Sequence, residues 1–216
     1  MILRKADSAE GLPDGLNLGS TGARVSFSAG TPTVLDGVPA GKAAVTALTM
    51  IDVDSKQDAI EWVKRLPARD RDEEIEIREG GCPGGVATVI RSRTSDTESP
   101  DLTRFMVILK ADHNAEAGVL PPENRLAAMT RHNEAAVKAG VMLAGEGLQP
   151  SSRGARVKFS GGKPAVIDGP FAEAKELVAG FWLIQVKSKD EAIDWVKGYP
   201  YPFDDAEIEI CEVVEA

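Results

Sequence analysis

A chain of 216 residues with 34 Asp and Glu against 25 Lys and Arg carries a formal net charge of −9. It has no visible basic patch, which argues against nucleic acid as a ligand, and no run of 18 apolar residues that would predict a membrane span. The hydrophobic fraction of 43% is enough for packed cores.

Taken in chain order, MILRKAD at 1–7 is a short apolar run that predicts a strand. GARVSFS at 22–28 opens a predicted hairpin, and a third strand follows it. Ser55 and Asp58 then mark the start of a helix that ends near Lys64. EIEIR at 74–78 alternates apolar and acidic residues, the pattern of a half-buried strand with Glu74 and Glu76 outward. GGCPGG at 80–85 and the polar stretch at 91–102 predict a linker, with VATVI at 86–90 as a small strand inside it.

The second half reads as a fuller version of the first. FMVILK at 105–110 predicts a strand buried on both faces. Pro121 and Pro122 precede a helix whose Leu126, Met129, Asn133, Ala136 and Val137 share one side, with Gly140 closing it. Strands at 155–159 and 164–167 flank a glycine-rich turn and predict a hairpin, and VAGFWLIQV at 178–186 predicts a long strand. Ser188 and Glu191 predict the start of a helix that GYPYP at 198–202 breaks, and AEIEICEV at 206–213 predicts a last strand with Ile208 and Ile210 inward. The order strand, helix, strand, strand, helix, strand predicts an α+β fold, a split βαβ plait with its helices on one face of an antiparallel sheet.

The halves are related in sequence. GARVSFS at 22–28 returns as GARVKFS at 154–160, and VDSKQDAIEWVK at 53–64 returns as VKSKDEAIDWVK at 186–197. The offset grows from 105 at the opening strand to 132 or 133 later, so about 27 residues, including the first helix, are absent from the earlier copy. The expected domains are a shortened plait at 1–80, a linker at 81–103 and a complete plait at 104–216, packed as an internal pseudo-dimer with the two isoleucine pairs of the last strands covering each other. Chemistry that depends on the absent block belongs to the second copy alone.

The segment VIDGPFAEAKELVAGFW at 166–182, with AMTRHNEAAVKAGVMLAGEGLQPSSRGARVKFSGGKP upstream and SKDEAIDWVK downstream, closely resembles the YCII-related family, in particular its DGPF-type branch. The resemblance covers the second copy and, in shortened form, the first, where VLDGVPAGK at 34–42 stands in place of DGPFAEAK. It implies a ferredoxin-like plait of the dimeric α+β barrel type. It also implies a catalytic pair, a helix-one histidine and an aspartate, which fall on His132 and Asp168 in this sequence.

The residues themselves leave more than one reading open. His132 lies roughly 90° from the centre of the apolar stripe of its helix, where a ring is half buried and able to exchange a proton, or simply at the surface. Asp168 before Gly-Pro suits a turn former as well as a base. Asn133 falls near the middle of the stripe and needs hydrogen-bond partners. Glu146 follows the helix as a loop acid able to line the same pocket, and Phe171 follows the turn that bears Asp168. We therefore expect His132 and Asp168 as catalytic candidates and Asn133, Glu146 and Phe171 as substrate-binding candidates. The aromatic side chains Trp62, Trp182 and Trp195 are read as packing.

No cofactor is indicated, because the glycine pairs do not lie between a strand and a helix, and His113, His132 and Asp168 lack a metal-ligand spacing. Cys82 and Cys211 stand at non-equivalent positions and suggest no disulfide framework. The opening residues lack a signal-peptide hydrophobic region, so a cytoplasmic protein is expected. Partners expected are a small-molecule ligand and a second copy of the chain in a homodimer, with no nucleic acid and no membrane. Two function classes follow: a lyase- or isomerase-like site moving protons on a small organic molecule, and a non-catalytic binding or regulatory module, which family resemblance links to sigma-factor regulation.

Overall fold

The computed structural model describes residues 1–5, 12, 15–37, 44–66, 73–90, 101–161 and 163–214. The polar linker stretch 91–100, most of GVPAGK in the first half and Gly162 of the second hairpin lie outside the described residues. Among the described residues the structure is a mixed α+β arrangement of one large antiparallel sheet and four helices. None of the described helices is long and apolar enough to cross a membrane.

In the first half, β1 (Ile2–Lys5), β2 (Leu16–Ser28), β3 (Thr31–Asp36) and β4 (Val45–Thr49) precede α1 (Lys56–Lys64) and β5 (Glu73–Ile77). Ser55 starts α1 by accepting the Asp58 backbone N–H at 3.1 Å, a cap that stabilises a helix by about 1 kcal/mol. The connecting segment contributes β6 (Val89–Ile90), and the second half continues with β7 (Thr103–Lys110), α2 (His113–Glu116) and α3 (Glu123–Lys138). It then runs through β8 (Met142–Gly147), β9 (Ala155–Ser160), β10 (Lys163–Asp168), β11 (Val178–Val186), α4 (Lys189–Gly198) and β12 (Ala206–Val214). Ser188 caps α4 through the Glu191 N–H at 3.2 Å, while the Glu191 carboxylate reaches back to the Lys187 N–H at 2.9 Å, one residue before the cap.

Two elements depart from the sequence expectation. The short α2 forms where a loop is expected, because Asp112 accepts the Ala115 N–H at 2.8 Å and nucleates one turn. MLAGEG, also expected as loop, is the strand β8. Its glycines and acid are weak strand formers, but it pairs along β11, with Gly145 opposite Trp182 and Gly147 opposite Gly180. Glu146 is therefore a strand residue and is buried.

In the first half the strands lie in the order β5, β1, β4, β2, and in the second in the equivalent order β12, β7, β11, β8. The two sets join where β2 pairs with β12. They meet again where the chain beyond β5 reaches β8, through a Gly80 to Leu148 bridge and a Gly81 N–H to Gly147 carbonyl bond of 3.0 Å. The hairpin strand β9 pairs with β5 of the other half, just as β2, which forms the first hairpin with β3, pairs with β12.

The isoleucine pairs do not cover each other, which corrects the expected packing. Ile75 and Ile77 lie in a cluster with Ile60 and Val63 of α1 and with Val157 and Phe159 of the other half's hairpin. Ile208 and Ile210 lie with Val196 of α4 and with Ala23 and Val25 of the first half. Each half thus supplies a strand that completes the other's helix-covered core. The opposite face of the sheet carries a third cluster drawn from both halves, with Leu3 and Leu48 beside Met106, Ile108 and Phe181.

That opposite face explains a second correction. Glu76 and Glu209, expected outward, are 0% and 4% exposed. Glu76 stands opposite Leu3 and Glu209 opposite Ile108, so both carboxylates point toward the enclosed third cluster. They are matched there by cations: Glu76 by Arg78 at 3.2 Å and Arg156 at 3.1 Å, and Glu209 by Arg24 at 3.6 Å and Lys110 at 3.7 Å.

Leu12, after β1, is buried in the first half's cluster around α1. The described part of the connecting segment packs on β8 of the second half.

Candidate functional site

The cavity with the most suggestive chemistry, of about 100 Å³, opens in the second half. Residues of α3, β8, β11 and the chain after α4 form its inner walls, and the connecting segment from Cys82 to Ala87 forms another. Its surface is mostly apolar, with Leu109, Met129, Leu148, Trp182 and Phe203 among the lining side chains. Asn133 and Glu146 also line it, at 6% and 8% exposure.

Glu146 holds the connecting segment in place. One carboxylate oxygen, Oε1, accepts the Gly81 N–H at 2.8 Å and the Thr88 hydroxyl at 2.7 Å. Gln149 adds a bond from its amide to the Gly81 carbonyl at 2.6 Å, and β6 pairs with β8 across Gly145 and Ala144. The second oxygen, Oε2, accepts no hydrogen bond among the described residues.

Asn133 is oriented from the other side. The Tyr199 hydroxyl donates to Asn133 Oδ1 at 3.0 Å. Burial pushes the Tyr199 phenol well above its ordinary value, so it stays a donor at physiological pH. With Oδ1 taken, the Asn133 Nδ2 donors bond to none of the described side chains. The cavity therefore presents one fixed amide donor in an apolar setting, while Glu146, opposite Phe181 of β11, turns its carboxylate to the other face of the sheet, that of the third cluster.

His132 lies behind this arrangement, on the neighbouring position of α3. Its ring packs edge-on against Tyr199 and Trp195, with centroids 4.9 and 5.4 Å away. Burial holds its pKa below the ordinary histidine value. Because the folded value is depressed, the stabilising contribution of neutral His132 is complete above the unfolded pKa of about 6.5 and is lost as pH falls through the folded one. Stability measured by urea denaturation should therefore fall between pH 7 and pH 5 more steeply in the native chain than in His132→Phe. Parallel pH curves for the two would refute the assignment.

Asp168 and Phe171 lie at the junction of the halves. Asp168 is 68% exposed at its side chain and pairs with Lys56, at the start of α1, at 2.7 Å. Its sequence counterpart Asp36 pairs with Lys189 at the start of α4, and the bridges of Arg24 to Glu207 and of Arg156 to Glu74 repeat the same exchange. The Phe171 ring carries the Arg156 guanidinium 4.0 Å from its centroid, and the Phe171 N–H donates to Ser151 Oγ at 3.1 Å. Gly169 is required between them, since a Cβ there would stand 1.9 Å from the Ser151 carbonyl oxygen. The structure thus sets Asn133 in the cavity, turns the Glu146 carboxylate to the other face of the sheet, sets His132 against the Tyr199 wall, and places Asp168 and Phe171 at the contact between halves.

A model of the YCII-related domain matches residues 103–216. The chain belongs to the YCII-related family. The match spans the half of this YCII-related protein that holds the cavity. A further similarity, 43% identity over 61 residues, links it to the uncharacterized protein R00369 of Rhizobium meliloti (strain 1021), covering 28% of this chain and 49% of that protein.

Tyr199 and Cys82 are among the cavity residues that sequence reasoning missed. Tyr199 sits in GYPYP, where the prolines signal only a helix end, and Cys82 sits in a segment that reads as linker. Cys211, by contrast, is buried away from the site, and its thiol is pushed up to about 12 by burial. No group of three His, Cys, Asp or Glu among the described residues is close enough to hold a metal ion.

Proposed function

We propose that this YCII-related protein is a fused pair of ferredoxin-like plaits, arranged as a dimeric α+β barrel within one chain, whose second copy takes up a small organic molecule. Support for the architecture comes from the repeated strand order and from the reciprocal exchange of hairpins and salt bridges, the pattern of an isologous interface. Support for the site comes from one observation above all: the Asn133 side chain, more than nine-tenths buried and held at Oδ1 by Tyr199, lines an apolar cavity with its amide donors unused. Asn133 Nδ2 would hold an acceptor atom of the ligand, in an orientation fixed by the Tyr199 hydroxyl.

In this reading His132 supports Tyr199 from behind, and Asp168 latches the second hairpin onto α1.

A second reading, ligand sensing without chemistry, is favoured by the connecting segment. Because it forms one wall of the cavity, a ligand held there would bear directly on the segment between the halves. The test is a small-molecule screen followed by NMR on the whole chain. Ligands should perturb the Trp182 and Tyr199 resonances, leave Trp62 unmoved, and lose affinity at least tenfold in Ala87→Phe, which narrows the mouth. Ligands that bind equally well to Ala87→Phe would reject the cavity as the site.

A further inference from the structure

The proposed site also constrains the polarity of what enters it, an inference that rests on the reading just given. Side chains alternate across β8, so the residues it presents toward α3 are Gly145, which stands opposite Trp182, and Gly147. Neither fills the space, and Cys82 of the connecting segment closes over it: a Cβ added to Gly147 would stand 2.7 Å from the Cys82 Cβ. Glu146, between the two glycines, turns to the opposite face, where Phe181 and Met1 lie, and its carboxylate is engaged by Gly81 and Thr88. It is the only charged residue among the described ones that line the cavity, so the face toward α3 offers no charge of either sign.

What that face does offer is an amide. Asn133 is 6% exposed, its Oδ1 is taken by the Tyr199 hydroxyl at 3.0 Å, and its Nδ2 donors bond to none of the described side chains. A buried donor without an acceptor costs free energy, and an oxygen atom on a ligand removes that cost. A carbonyl oxygen does so without bringing a donor of its own that must find a partner. An ammonium or carboxylate would instead carry charge into a wall with nothing to pair it. The volume of about 100 Å³ is of the order of the ~150 Å³ engineered cavity that takes up benzene, so the body that fits is about one ring.

We infer that the cavity selects uncharged carbonyl compounds: molecules with an apolar body of about one ring and a ketone, aldehyde or ester oxygen that accepts from Asn133 Nδ2. Ions of either sign and the same bulk are excluded. An ion can enter only with its charge left at the mouth, beside the exposed side chains of Pro83, Ala87 and Val119, which forfeits the Asn133 bond.

Cyclohexanone and methylenecyclohexane share one shape and differ in the acceptor, while cyclohexanecarboxylate and cyclohexylammonium keep the ring and add a charge of either sign. Binding is followed by NMR on the intact chain at Trp182, Tyr199 and the Asn133 side-chain amide. Cyclohexanone should perturb all three and move the Asn133 amide protons downfield; methylenecyclohexane should perturb the rings without that downfield shift. Both ions should bind at least tenfold more weakly than the ketone. In Asn133→Leu the ketone should weaken about fivefold relative to methylenecyclohexane. If the rings respond, an ion that binds as tightly as the ketone, or a ketone that leaves the Asn133 amide unshifted, would overturn the ligand class and leave the cavity reading standing. Silence of Trp182 and Tyr199 toward all four compounds would also reject the class, and the cavity reading falls with it if the broader screen yields no ligand that Ala87→Phe weakens. The amide shift in the unaltered protein decides the question even if the variant does not fold.

Discussion

Glu76→Ala is expected to lower the free energy of unfolding by about 3–5 kcal/mol, the range found when one partner of a buried ion pair is removed. Glu76 is fully buried, and it faces Arg78, which is 1% exposed, and Arg156, which comes from the other half. Without the carboxylate, Arg78 keeps Glu116 at 3.4 Å and the Gln149 carbonyl at 2.8 Å, but its Nη1 is left in the interior facing an empty position. Urea denaturation of the whole chain measures the effect. A loss below about 1 kcal/mol, the value typical of an exposed pair, would mean that the network contributes little to holding the halves together.

Trp182→Ala should have an effect of the same size, about 3–5 kcal/mol, for a different reason. Trp182 is 6% exposed and touches Tyr199, Tyr201 and Trp195, with ring centroids 4.5, 6.1 and 6.2 Å away. Truncation removes apolar contact area from the core under α3 and α4 and merges the space with the cavity. Ligands of the second half should weaken together with stability, because Tyr199 loses the ring that positions it. Stability reduced as expected with ligand affinity unchanged would separate Trp182 from the site and restore it to a packing role alone.

The cavity and the pairing between halves differ in how far the sequence anticipated them. Both helix starts could be read from it because a cap joins residues three apart, Ser55 to Asp58 and Ser188 to Glu191. The hairpin of β9 and β10 and the long β11 were equally legible, since their signals are alternation, β-branched residues and a glycine turn within a few positions. Asn133 stood out as an amide on an apolar stripe, a conflict visible without coordinates.

What the sequence by itself determined is therefore most of the local elements, their recurring motifs, and the membership of the second half in a family. The tertiary structure alone decided that β8 is a strand, that Glu76 and Glu209 face inward, and that Asn133 and Tyr199 share a cavity. The physical reason is distance along the chain. Gly81 and Glu146 are 65 residues apart, Tyr199 and Asn133 are 66, and Lys56 and Asp168 are 112. Alternation says that one face of a strand is apolar, but whether the acidic face meets water or a buried arginine depends on which strand of the other half lies beside it.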